Sequence, residues 1–108
     1  MNIVNFIKTI FRKRKYKKIL IIKNNSSVTP VNNTITVVKK NSTYSWAKFK
    51  CPCGCGKNVT LSLTSNIKPY WVIKVDNDNR VTLSPSIYLT NYPCRSHFFI
   101  KNNKIDWV

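Results

Sequence analysis

Phe98-Phe99-Ile100-Lys101-Asn102-Asn103-Lys104-Ile105-Asp106-Trp107 reads as a β-hairpin. Asn tolerates positive φ, so Asn102-Asn103 serves as a two-residue turn between two strands. Folding there sets Ile100 opposite Ile105 and Phe98 opposite Trp107, all four on one face. His97 and Phe99 then point to the other face.

The same alternation recurs upstream. Val81-Thr82-Leu83 follows the turn-forming Asp76-Asn77-Asp78-Asn79, and Trp71, Ile73 and Val75 precede that turn. Val59, Leu61 and Leu63 alternate with Thr60 and Ser62, as in a half-buried strand. Tyr44 to Cys51 places Ala47, Phe49 and Cys51 on one face, and Thr34–Val38 and Ile19–Ile22 are β-branched runs ending in turn residues. Many short strands at close spacing predict a mostly β (α+β) chain, a small antiparallel sheet or sandwich-like domain over residues 18–108. Before it, Ile3, Val4, Ile7, Ile10 and Phe11 recur at helical spacing and lead into Arg12-Lys13-Arg14-Lys15-Tyr16-Lys17-Lys18. That pattern predicts one amphipathic N-terminal helix with a basic extension over residues 1–17.

The chain has 108 residues and a net charge of +16, from 19 Lys and Arg against 3 acids. A field of this size attracts polyanions: nucleic acid, anionic lipid headgroups or an acidic protein surface. Three acids and one histidine exclude a carboxylate-rich metal site and a glycosidase acid pair. Two glycines, Gly54 and Gly56, exclude a phosphate loop or dinucleotide fingerprint. No apolar run is long enough to span a membrane as a helix. The basic cluster follows the apolar stretch instead of preceding it, unlike a secretory signal. The chain is therefore expected in the cytoplasm with its thiols reduced, and peripheral at a membrane if residues 1–18 bind anionic lipid.

The chemistry-bearing residues fall into two clusters, Cys51-Pro52-Cys53-Gly54-Cys55-Gly56 and Cys94-Arg95-Ser96-His97. Two local groups of sulfur and nitrogen donors joined by a sheet are a common zinc construction. Cys51, Cys53, Cys55, Cys94 and His97 are the candidate ligands, one more than a closed tetrahedral site needs. The expected set is Cys94 and His97 with two of the three upstream cysteines, the spare one left open. Cys94 with His97 as base is the nucleophile-and-base pair weighed for catalysis, and zinc ligation would occupy both. Ser84-Pro85-Ser86-Ile87 reads as a strand end or edge bulge. Ser86 or Ser96 could bond to a ligand sulfur from there.

In their order and spacing, several of these pieces resemble domain of unknown function 6527, a family of bacterial and phage proteins. They are Phe49 to Gly56, Trp71, Val81 to Ile87, Pro93-Cys94-Arg95-Ser96-His97-Phe98-Phe99-Ile100 and Ile105-Asp106-Trp107. The resemblance implies a small zinc-binding β domain using Cys51, Cys53, Cys55, Cys94 and His97. It also implies genes beside bacterial ubiquitin-like conjugation systems and mobile elements, with no settled activity. The expected role is a binding or accessory module docking an acidic protein of such a pathway. A nucleic-acid binder, with Tyr44, Trp46, Tyr70, Tyr88 and Tyr92 among lysines, is the alternative. A metal- or thiol-dependent enzyme is the second.

Overall fold

Alternating apolar residues and Asn-bearing turns divide the chain into eight strands. These are β1 (Lys18–Lys23), β2 (Thr34–Lys40), β3 (Thr43–Lys50), β4 (Asn58–Ser62), β5 (Val72–Val75), β6 (Val81–Tyr88), β7 (His97–Lys101) and β8 (Lys104–Trp107). The computed structural model describes residues 29–30 and 32–108 in full, and residues 18–23 by their backbone. The helix expected over residues 1–17 lies outside the described residues. Among those described no helix forms.

The strands make two four-stranded sheets, in the orders β1-β2-β3-β4 and β5-β6-β7-β8. Asn102 and Asn103 take φ of 50° and 64° and close the β7–β8 hairpin. Phe98 then faces Trp107 and Ile100 faces Ile105, the register that the alternation predicts. Asn41 and Ser42 turn β2 into β3 in the same way, at φ of 50° and 68°. At the β5–β6 turn, Asp76 Oδ1 accepts the backbone N–H groups of Asp78 and Arg80 at 2.9 and 2.8 Å. Every pairing is antiparallel except β1 with β2, which is parallel, Lys18 beside Thr34. The sequence predicts a mostly antiparallel arrangement. Period-two patterning fixes which side chains share a face but not the direction of the neighbouring strand.

The inner faces of the two sheets share one core. Ile35, Val37, Ala47, Phe49, Val59 and Leu61 come from the first sheet, and Val81, Leu83, Ile87, Phe98, Ile100 and Ile105 from the second. Phe49 meets Phe98 edge to face at 6.3 Å, and Phe98 meets Trp107 at 5.5 Å. Removing a ring at such a position costs about 3–5 kcal/mol. Two hydrogen bonds also cross between the sheets' flanking segments. Trp71 donates its backbone N–H to Ser62 O at 2.8 Å, and the Tyr92 hydroxyl donates to Asn58 O at 2.7 Å.

One irregularity positions the site. Between Leu83 and Ile87, four residue steps of β6 face only two of β7, since Leu83 pairs with Ile100 and Ile87 with Phe98. Pro85 inside this stretch has no N–H to give to a ladder, so a bulge is the place it fits. The bulge lies within β6 where β5 no longer pairs with it, and β6 resumes its pairing with β7 beyond it.

Candidate functional site

The loop from β3 to β4 carries three of the thiols. Cys51 extends the inward face of β3 beyond Phe49 and is buried. Its N–H donates to Lys57 O at 2.8 Å, which ties the loop ends together, and the Gly54 N–H returns to Cys51 O at 3.2 Å. Gly54 and Gly56 take φ of 88° and 83°, a region costly for any residue with a Cβ. The fourth thiol lies in the loop from β6 to β7. That loop is knit by Tyr92 N–H to Leu89 O, Arg95 N–H to Tyr92 O and Leu89 N–H to Ser96 O. With the Tyr92 hydroxyl anchored on Asn58 O, Cys94 is carried to the other three.

The sulfurs of Cys51, Cys53, Cys55 and Cys94 all lie within 4.8 Å of one another. Cys51 Sγ stands 3.4 Å from Cys53 Sγ and 3.8 Å from Cys94 Sγ. Four thiolates about 2.3 Å from one tetrahedral ion stand about 3.8 Å apart, so the spacing suits a single metal ion. The Ser96 hydroxyl donates to Cys94 Sγ at 3.3 Å and, with the Ser96 backbone, lowers that thiol to about 6. Burial pushes the Cys51 thiol up to about 12. One thiol is drawn toward the thiolate while its buried neighbour keeps its proton, and an ion binding all four sulfurs would displace that proton. All four thiols are free of disulfides.

His97 departs from the expected ligand set. It begins β7, where alternation turns its ring to the outer face while Phe98 points into the core. The thiols sit by the loops, and the donors close enough together to hold one ion are the four sulfurs, without His97. Instead His97 Nε2 lies 2.9 Å from Ser86 Oγ, across the β6–β7 pairing in which Tyr88 faces His97. The Tyr88 ring stacks on the imidazole, centroids 4.5 Å apart and planes 10° from parallel. Trp71 Nε1 donates to Ser86 O at 3.2 Å, fixing the backbone that carries the hydroxyl.

The serine partners are therefore divided. Ser96 takes the place beside the sulfurs, as one of the two serines considered. Ser86 instead pairs with the histidine, so its hydroxyl and not the Cys94 thiol lies within hydrogen-bond reach of the imidazole. The signals for it were present in the sequence: the outward direction of His97, and a serine held off the ladder by Pro85. The two-residue slip that joins them was not.

A family model described as BubE, bacterial ubiquitination-like system serine protease, matches residues 22–108. This corrects the resemblance to domain of unknown function 6527: the matching family is a different one, named for a serine protease. No curated protein matches the chain, and no solved structure matches it.

Proposed function

Because this chain belongs to the BubE family, named for the serine protease of a bacterial ubiquitination-like system, we propose that it is a serine peptidase using Ser86 and His97. One observation carries the reading, the 2.9 Å contact of Ser86 Oγ with His97 Nε2. That is hydrogen-bond reach between a nucleophile and its base. The imidazole also needs to be held in orientation, a role often given to a carboxylate. Here Asp76 and Asp78 pair with Arg80, and Asp106 with Lys101. The Tyr88 ring stacked on His97 supplies the orientation.

In this mechanism Ser86 Oγ attacks the carbonyl carbon of a peptide bond and its proton passes to Nε2. The tetrahedral adduct collapses, the C–N bond breaks, and Nε2–H protonates the departing amine. An ester to Ser86 is left. Water then attacks that ester, giving one proton to Nε2. The ester C–O bond breaks, the carboxylic acid leaves, and the proton returns to Ser86 Oγ.

Cys51, Cys53, Cys55 and Cys94 would hold one zinc ion as a closed four-thiolate site, replacing the expected set that included His97. A zinc bound by four protein ligands supplies folding energy and no open position for substrate. Ser96, bonded to Cys94 Sγ, adjoins His97 in the chain, so the ion would brace the start of β7. Membership of a ubiquitination-like system implies protein partners. Nucleic-acid and membrane contacts, expected from the +16 charge, find no support in the comparisons and form no part of this reading.

The test is labelling of the full chain by a small alkyl fluorophosphonate, with the modified residue located by mass spectrometry. Labelling is expected on Ser86, and Ser86→Ala or His97→Ala should each lower it by about 10³-fold or more. A label on another serine, or labelling indifferent to His97, would count against the dyad.

A further inference from the structure

The outer face of the second sheet is divided in character. At the end near the β5–β6 turn it is polar. Lys74, Asp76, Arg80, Thr82, Lys101 and Asn102 line a cavity of about 380 Å³, and its one carboxylate, Asp76, is engaged by Arg80. Toward Ser86 it is apolar. The large hydrophobic side chains left exposed among the described residues are Ile67, Tyr70, Val72, Tyr88 and Val108. Val72 pairs with Ser84, two residues before Ser86, and Tyr88 lies two residues after it on the same strand. Val108 donates its N–H to His97 O at 3.0 Å, and Ile67 and Tyr70 lie in the segment entering β5. Exposed apolar residues scattered singly need no explanation, and the two that the ladder places beside Ser86 are the ones that matter here. Val72, at 62% exposure, and Tyr88, at 52%, bracket the serine.

The backbone at this place also lacks a strand on one side, where the Trp71 indole covers the edge at the Ser86 carbonyl. β5 pairs with β6 only from Val81 to Ser84, because at Trp71 the chain turns away to bond Ser62 O of the other sheet. Beyond Ser84, β6 has β7 beside it and no described strand on the other edge. Leu89 N–H bonds Ser96 O, so by antiparallel alternation the Tyr88 N–H points away from β7, toward that open edge. An extended peptide chain laid there finds a backbone donor at Tyr88 and an apolar surface on both sides of Ser86.

We infer that Tyr70, Val72 and Tyr88 form the specificity surface of the peptidase, selecting extended polypeptide segments with an apolar side chain next to the scissile bond. This rests on the serine peptidase reading above. Tyr88 has a double part, since the ring that holds His97 also meets the substrate. Val72 and Tyr70 touch substrate alone.

The experiment compares three probes on the full chain: a small alkyl fluorophosphonate without peptide, a tripeptidyl diphenyl phosphonate ending in leucine, and the same probe ending in aspartate. The leucine probe is expected to label Ser86 about tenfold or more faster than the aspartate probe, the discrimination a small apolar pocket provides. Val72→Ser, on a solvent-facing edge position, should slow the leucine probe about fivefold and leave the small fluorophosphonate rate unchanged. Equal rates for the two peptidyl probes, with Ser86 labelled by the small one, would overturn this inference and leave the peptidase reading standing. So would a Val72→Ser, Tyr70→Ser double variant that keeps the full leucine preference. Failure of the small fluorophosphonate to label Ser86 would remove the peptidase reading and this inference together.

Discussion

The four thiols and the Ser86–His97 pair meet in the chain at Cys94-Arg95-Ser96-His97 yet are built by opposite means. The thiols sit on two loops, brought together by a few bonds such as Tyr92 to Asn58 O and Leu89 to Ser96. Burial holds Cys51 toward its protonated form while Cys94 is drawn toward the thiolate, so an ion bound by all four sulfurs would have to displace the Cys51 proton. The serine and histidine sit on adjacent strands whose register is set by the whole ladder, with Phe98 and Ile87 buried beneath them. A loop-built cluster would depend on a bound ion to stay assembled, whereas a strand-built pair is held by the core and is lost only when the whole fold is. Removing the metal and perturbing the strands should thus give different signatures.

The largest effect is expected from metal removal. A structural zinc contributes of order 10 kcal/mol, comparable to the entire stability of a domain this size. Full chain treated with a strong chelator should lose its cooperative thermal unfolding, and Ser86 labelling with it. Zinc returned before aggregation should restore both. A chelated, metal-free chain that keeps its Tm and its labelling would show the strands holding the pair without help from the loops.

The same contrast explains what could be read from the sequence. Three cysteines within five residues, flanked by glycine, announce a ligand cluster through local spacing alone. The β7–β8 hairpin is equally local, and its register follows from Asn102-Asn103 and the alternation around them. Ser86 with His97 is not local. It needs β6 beside β7 and a slip of two residues between Leu83 and Ile87, and no periodicity specifies that slip. His97 is the instructive case, because two local rules disagreed over it. The Cys-x-x-His spacing drew it to the metal, while the hairpin alternation turned it to the outer face. Alternation won, because reversing one side chain on β7 would also turn Phe98 or Ile100 out of the core.

A smaller effect tests the strand side of the comparison. Asn103, at φ 64°, donates its N–H to Val81 O at 2.9 Å and accepts Val81 N–H on Oδ1 at 2.7 Å. Asn103→Ala loses the side-chain acceptor and places a residue poorly suited to positive φ, costing about 1–2 kcal/mol. Urea unfolding should show that loss in the midpoint with an unchanged slope. Well below the transition, Ser86 labelling should be unaltered, since the hairpin turn lies at the opposite end of β7 from His97. A labelling rate that falls with Asn103→Ala would mean that the register at His97 is set by the turn and not by the core.

Trp71 gives the smallest effect, but it acts where the two kinds of construction meet. Its backbone N–H reaches Ser62 O of the first sheet at 2.8 Å, and its indole Nε1–H reaches the carbonyl of Ser86 at 3.2 Å. Trp71→Phe keeps an aromatic ring against the core and the backbone bond, and removes the indole donor. One hydrogen bond of this kind is worth about 1 kcal/mol, so the maximal rate of fluorophosphonate modification should fall about fivefold. The probe's binding constant should change little, because the lost bond orients the nucleophile and touches no probe atom. If Tm falls and the maximal rate does not, the indole serves the sheet contact only. If the rate falls with Tm nearly unchanged, Trp71 is a positioning residue for Ser86, and the bulge that Pro85 imposes is held in shape from the neighbouring strand.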